Sequence, residues 1–278
     1  MRLSLSALNK TNIPVRRRAM QAIEMKLAII VLLFIIFACA GPFFRQPAEY
    51  HAFADQRTFL GIPFAFDVLS NLPFALWGIA GMWLAWPVAT GGPDTSTTSR
   101  AQGRHAMLFF AGLILTAGCS AWYHLNPGDA GLAIDRCGMV MAFAGLLGLA
   151  TGSRVGVRAG SCMAVLVILL GPLTVAAWSL TGNVTPWLVL QFGGLLLILW
   201  FACLQPRSDP LPVRWFLVIT FYVLAKCLEL SDHHVYELAG HAVSGHSLKH
   251  LIASCAAWPV VSALLQQRKQ LSSDVTVW

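Results

Sequence analysis

Charge is what this chain has least of. Only 11% of its 278 residues are charged, against roughly 25% in a soluble domain, and 57% are hydrophobic. A water-soluble globular fold is excluded by that balance. The seven cysteines, Cys39, Cys119, Cys137, Cys162, Cys203, Cys227 and Cys255, contain no C-x-x-C pair. They are expected to be small core residues rather than metal ligands or a disulfide framework. No glycine-rich phosphate loop, nucleophile elbow or H-E-x-x-H pair is present, so nothing points to nucleotide, serine-hydrolase or zincin chemistry. Nor is there an internal repeat of the kind many transporters carry.

What is present is a series of long apolar runs. A membrane helix needs about 20 predominantly apolar residues, and eight segments approach that: 27–44, 64–86, 106–124, 132–151, 160–180, 186–204, 213–230 and 246–265. Gly91-Gly92-Pro93, Asn126-Pro127-Gly128 and Gln205-Pro206-Arg207 punctuate them as turns. The connections are too short for a soluble domain, so the predicted fold is one all-α polytopic membrane bundle.

The basic excess, 19 Lys and Arg against 12 Asp and Glu, reads loop by loop. Arg2, Lys10, Arg16, Arg17, Arg18 and Lys26 precede the first run, which places the N-terminus in the cytoplasm. Alternation through eight spans then puts Arg100, Arg104, Arg154, Arg158, Arg207, Arg214, Arg268 and Lys269 on that same side. Fourteen of the nineteen basic residues fall there, and both termini are expected to be cytoplasmic. This pattern calls for a membrane and for no nucleic acid. Ala38-Cys39-Ala40 at the end of the first run resembles a signal-peptidase site. The later spans keep their orientation whether or not it is cut.

The chemistry concentrates at the opposite face. His246 and His250 open the last run four residues apart, and Ser120 and His124 repeat that spacing at the end of the third. Residues i and i+4 share a helix face. Asp135 follows His124 by eleven residues, across a short turn that makes the two helices neighbours. Three imidazoles, a hydroxyl and a carboxylate at one depth have the composition of an open zinc site, with three protein nitrogens and one free position. Polar and ionisable groups inside a bilayer are costly, and a helix that keeps them usually has a use for them. Asp67, Ser70 and Asn71 share a face of the second run, either as helix-packing groups or as a support for the ligands or a substrate contact. Lys226 and Glu229, three apart in the seventh run, are expected to pair with each other or to line the entry to the site. His51, His233, His234 and His241 are expected in solvated loops, with His241 a substitute for one ligand, and His105 is expected to be a helix-start residue.

Ser120-Ala121-Trp122-Tyr123-His124, Asp135-Arg136 and His246-x-x-x-His250 together resemble the alkaline ceramidase family. The same pattern marks a wider superfamily that includes adiponectin-receptor and progestin-receptor-like proteins. Phe66-Asp67-Val68-Leu69-Ser70-Asn71-Leu72 is similar to the first core helix of ceramidases. The resemblance spans about residues 55 to 265. It implies a seven-helix zinc-hydrolase-like core over 46–267, preceded by a basic N-terminus and an extra transmembrane helix or signal anchor over 1–45, and followed by a short tail over 268–278. It implies zinc on His124, His246 and His250, catalytic roles for Ser120 and Asp135, and cleavage of a ceramide-like membrane lipid in sphingolipid metabolism. Animal relatives also carry an acidic calcium site. Asp55 stands where one of its ligands is expected, but Gln56-Arg57-Thr58 lacks the acidic residues and Phe64 replaces another carboxylate. The calcium site is therefore incomplete.

On this reading Asp135 moves a proton from the attacking water to the leaving amine, Ser120 supports the oxyanion or the water, and the apolar bundle takes the acyl chain. The alternative within the superfamily is a lipid-sensing receptor with a structural zinc. Short cytoplasmic connections, which offer little surface for a signalling partner, favour the enzyme, and no protein partner is identifiable. A transporter using Asp67, Lys226 and Glu229, or a haem carrier using the histidines, fits less well. The short loops and the lack of a C-terminal retention signal favour a bacterial inner membrane over a eukaryotic organelle, with the site near the non-cytoplasmic face.

Overall fold

A computed structural model describes residues 5–91, 96–207 and 210–275, with side chains described over 20–91, 96–207 and 210–269. Gly92 and Pro93 of the first predicted turn lie outside these residues. The chain divides into two compact units, Met1–Gly41 and Pro42–Trp278. The first is a single helix, α1 (Leu5–Ala40), whose stretch Met20–Ala40 is long and apolar enough to cross a membrane. The expected run of 27–44 is thus displaced. The helix starts well before the apolar residues and stops at Gly41-Pro42, because proline cannot donate into the ladder.

The second unit is all-helical apart from two isolated bridges among the described residues, Arg45↔Asn183 and Phe59↔Ile62. After a loop containing one short 3₁₀ turn, Ala48–His51, come α2 (Ala65–Leu69) and α3 (Leu72–Thr90), broken at Ser70–Asn71 within the second predicted run. Then follow α4 (Thr97–Leu125), α5 (Asp129–Arg154) and α6 (Val157–Thr181). A sixth crossing is built from α7 (Thr185–Leu188), a π-helical turn at Val189–Gly193 and α8 (Gly194–Ala202). Next are α9 (Trp215–Leu230), the short α10 (Asp232–Leu238), α11 (Gly245–Ser254), a 3₁₀ turn at Cys255–Ala257, and α12 (Trp258–Val275). Among the described residues, seven helical stretches, the first of them Met20–Ala40, are long and apolar enough to span a bilayer. This is an all-α polytopic membrane bundle, as the apolar runs predict. The run 213–230 is the short one, since α9 has 16 residues.

The bundle has two polar ends. At one, the Leu211 N–H donates to Gln102 Oε1 at 2.7 Å, and the Arg207 N–H to the Ser153 carbonyl at 3.0 Å. At the other, the loop after Pro42 meets the α6–α7 turn and α10. The Val184 N–H donates to the Phe44 carbonyl at 2.9 Å, and the Ala54 N–H to Asp232 Oδ2 at 3.0 Å.

Two glycines set how closely α4 and α5 approach. A Cβ on Gly112 would lie 2.1 Å from the Ala142 nitrogen, and one on Gly145 2.1 Å from the Phe109 nitrogen. Small residues permit such backbone contact between membrane helices. It fixes the end of α4, with Ser120 and His124, beside the start of α5, with Asp135. The cysteines correct the sequence expectation: Cys39, Cys137, Cys162, Cys203 and Cys227 are exposed rather than core. In a bundle solvated by lipid, an apolar thiol satisfies the outer surface as well as the inner one.

Candidate metal centre

The first two turns of α11 carry His246 and His250, and the last turn of α4 carries His124. One ring nitrogen from each lies within 4.8 Å of the others, and all three residues are buried. The cluster could therefore hold a metal ion. Its closest pair is His124 Nε2 and His246 Nε2, 3.3 Å apart. Neighbouring nitrogens around tetrahedral zinc, bound at about 2.0–2.1 Å, stand about 3.3–3.4 Å apart, so the pair fits such an ion.

The surrounding hydrogen bonds settle how one ring is presented. Ser70 Oγ lies 2.8 Å from His250 Nδ1 and 3.0 Å from the Asp67 carbonyl. The carbonyl can only accept, so the Ser70 hydroxyl donates to it and accepts from a proton on His250 Nδ1. That tautomer leaves the Nε2 lone pair of His250 for a metal. Phe53 closes the cluster from the loop side, with its ring centroid 4.7 Å from that of His124 and 4.4 Å from that of His246.

Two carboxylates hold the helix that carries the pair. Ser244 caps α11, its Oγ accepting from the Ser247 N–H at 2.9 Å. Asp67 Oδ1 accepts from Ser247 Oγ at 2.7 Å, and Asp232 Oδ1 from the His246 N–H at 2.7 Å. Acidic groups suit a helix N-terminus because the unsatisfied N–H groups leave it partly positive. Gly245 allows the close seating: a Cβ there would stand 2.4 Å from the Leu228 carbonyl oxygen and 2.8 Å from the Asp232 Cα.

His250 also lines a cavity of about 80 Å³, which Ser120, Asp135, Lys226, Glu229 and Lys249 share. Asp135 Oδ1 is buried and has no hydrogen-bond partner among the described residues. Asp135 lies six residues into α5, in its second turn, after Asp129 in the acidic first turn. Glu229 pairs with Lys226 as expected. It also takes Lys249 at 2.8 Å, a partner that no helical spacing marks although it immediately precedes His250. Gln191 and Tyr222 also line a second cavity, whose other lining includes Leu146, Leu147, Leu190 and Ile198.

The remaining predicted residues are less direct. Asn71 Nδ2 donates to the Asp67 carbonyl at 2.8 Å, and Asn71 is not among the groups touching the imidazoles. Both oxygens of Asp55 accept from Arg57, at 2.8 and 2.6 Å. That bond raises the Arg57 pKa and commits the carboxylate away from calcium. His233, His234 and His241 are exposed as expected. His51 is not simply solvated: it bridges the Tyr123 hydroxyl at 2.8 Å and Asp129 at 3.0 Å. His105 is buried eight residues into α4, 3.4 Å from Ser161 Oγ, rather than starting the helix. Phe53, Asp232 and Lys249 carried no spacing signal, since each acts through a tertiary contact. No family model and no curated protein sequence matches the chain.

Proposed function

We propose that this protein is a zinc-dependent intramembrane hydrolase that cleaves the amide bond of a ceramide-like lipid to a fatty acid and a long-chain amine. One observation carries the reading: His250 of the buried triad, Ser120 and Asp135 line one cavity, and an aliphatic pocket shares Gln191 and Tyr222 of its wall. An amphiphile with its scissile bond beside the triad and its acyl chain along α5 fits that shape. Asp135 and Leu147 are twelve residues apart, or about 18 Å along a helix, enough for most of a long acyl chain. The resemblance to alkaline ceramidases in Ser120, His124, Asp135, His246 and His250 supports the same chemistry.

His124, His246 and His250 would hold the ion. Zinc in such a site supplies a Lewis acid that polarises a carbonyl and brings water within reach of deprotonation near pH 7. Hydrolysis consumes one water, whose oxygen forms the new C–O bond as the C–N bond breaks. Asp135, a cavity-lining carboxylate with one buried and unpartnered oxygen, takes one proton from that water and delivers it to the departing nitrogen. Ser120 donates its hydroxyl proton as a hydrogen bond to the oxygen on which negative charge develops. Phe53 and the aliphatic lining exclude bulk water, which strengthens both interactions.

The test is metal content and fatty-acid release from ceramides, measured on one detergent-purified sample beside the His250→Ala variant. About one zinc per chain with turnover, both lost in the variant, is the expected result. Zinc without turnover on ceramides of several chain lengths would replace the enzyme by a lipid sensor. Absence of zinc would remove the metal centre.

A further inference from the structure

Arg136 is a buried cation without an anion. Its side chain is only 3% exposed and lines the cavity beside Asp135. Three aromatic rings surround the guanidinium, with Trp178 at 4.1 Å, Trp187 at 5.3 Å and Tyr50 at 5.7 Å from its central carbon. Its Nη2 donates to Gln46 Oε1 at 2.6 Å and the Tyr50 hydroxyl is a further hydrogen-bond partner of the guanidinium, while Nε and Nη1 have no partner among the described residues. No carboxylate pairs with it there. Glu229, the other acidic lining residue, already serves both Lys226 and Lys249. The cavity wall therefore carries three cations against two carboxylates, one of which the proposed reaction needs for proton transfer.

A buried charge left uncompensated is strongly unfavourable. The aromatic faces attract a cation but give its N–H groups nothing to donate to. Trp178 on one side and the bond to Gln46 on another restrain the guanidinium, which limits the directions open to its free N–H groups. A fixed guanidinium fork matches the two oxygens of a carboxylate or phosphate. Gln46 and Tyr50 belong to the loop after Pro42, so this group sits on the polar side of the cavity, away from the aliphatic slot.

We propose that Arg136 is an anion-binding residue, and that the cavity takes lipids bearing an oxyanion. The idea rests on the lipid-amidase reading. It deepens that reading by giving the lipid a charge, carried either by an acidic head group of the amide substrate or by the carboxylate of the fatty acid released from it.

The experiment measures binding rather than turnover, on full-length protein in detergent, by quenching of tryptophan fluorescence. Two ligand pairs of equal chain length serve as probes: N-palmitoylglycine against N-palmitoylethanolamine, and palmitate against hexadecanol. The acidic member of at least one pair should bind tighter by about 10- to 100-fold, the effect of a hydrogen bond to a charged group. Preference within the first pair assigns the anion to the head group, and preference within the second alone assigns it to the released acid. In Arg136→Gln the ratio should fall to about one, whereas Arg136→Lys keeps part of it. The wild-type preference must also survive chelation of the metal, which separates Arg136 from direct carboxylate binding by zinc and requires no variant to fold. Equal affinity within both pairs, loss of the preference on chelation, or an unchanged ratio in Arg136→Gln would each overturn the proposal. A sample that lacks zinc but keeps an Arg136-dependent preference would sink the hydrolase reading and leave this one standing.

Discussion

Ser70 shows how much a single hydroxyl decides at this site. Its proton goes to the Asp67 carbonyl, so its lone pair fixes the His250 tautomer. Ser70→Ala should weaken zinc binding by about 10- to 100-fold, the usual effect of losing a partner behind a ligating histidine. Competition with a fluorescent zinc chelator reads it, and an unchanged affinity would mean that the ring needs no such support. Asp135 separates metal holding from chemistry. Asp135→Asn should keep zinc yet lose turnover by about 10²- to 10⁴-fold, and Ser120→Ala should cost about 10²- to 10³-fold by analogy with other oxyanion donors. Wild-type hydrolysis by the Asp135→Asn protein would reassign the base. The three histidines were legible in the sequence because helical spacing and span depth bring them together with no knowledge of packing. Phe53, Asp232 and Arg136 were not, because each reaches the site through a loop, a short helix or an aromatic cage that no periodicity encodes.

At the scale of elements, α11 is held by its first turn. Ser244 caps it, Asp67 and Asp232 accept from its leading residues, and Gly245 lets it rest on the backbone of α9 and α10. Gly245→Ala would push a methyl group into the Leu228 carbonyl oxygen, at 2.4 Å, and the Asp232 Cα, at 2.8 Å. These are backbone atoms with little freedom to retreat. The expected cost is about 1 to 3 kcal/mol, as for other overpacking substitutions. Because the same turn carries His246, zinc occupancy should fall with it. Ser244→Ala removes a cap worth about 1 kcal/mol and should be milder. Thermal unfolding in detergent beside metal analysis checks the order, and a Gly245→Ala protein with unchanged midpoint and zinc would refute the seating argument. The apolar runs located every crossing helix of the second unit, although α4 starts nine residues before its run and α12 ends ten after, but not the break at Ser70–Asn71 or the π-helical turn that carries Gln191. Both interruptions sit inside uniformly apolar stretches, where hydropathy is blind to which hydrogen-bonding ladder the backbone adopts. Both are places where the ladder yields to the site, as π-helical turns often do.

For the whole molecule, the question is whether α9 crosses the bilayer. With 16 residues it is about 24 Å long, shorter than a hydrocarbon core of about 30 Å. The contacts answer for it. The segment before α9 bonds to Gln102 at one end of the bundle, while Asp232 just after it bonds to His246 and Ala54 at the other. The helix therefore runs from end to end, and Lys226 and Glu229 near its close place a polar cluster where its apolar length runs out. The described residues of the second unit then make seven passes, starting at the metal end and finishing opposite. If α1 also spans, the chain makes eight passes and the two termini share a compartment. Arg100, Arg104, Arg154, Arg158, Arg207 and Arg214 all belong to the end away from the metal, and the expectation from the positive-inside rule is that this end faces the cytoplasm. Reporter domains fused at the N-terminus, the C-terminus and Pro206 should therefore all score cytoplasmic, and insertions at Pro127 and Gly240 should score on the far side. Termini in opposite compartments, with Pro206 and Gly240 still on different sides, would mean that α1 does not cross. Pro206 and Gly240 in the same compartment would mean that α9 does not, and the polar end of α11, with its histidines, would then lose its shared depth with His124.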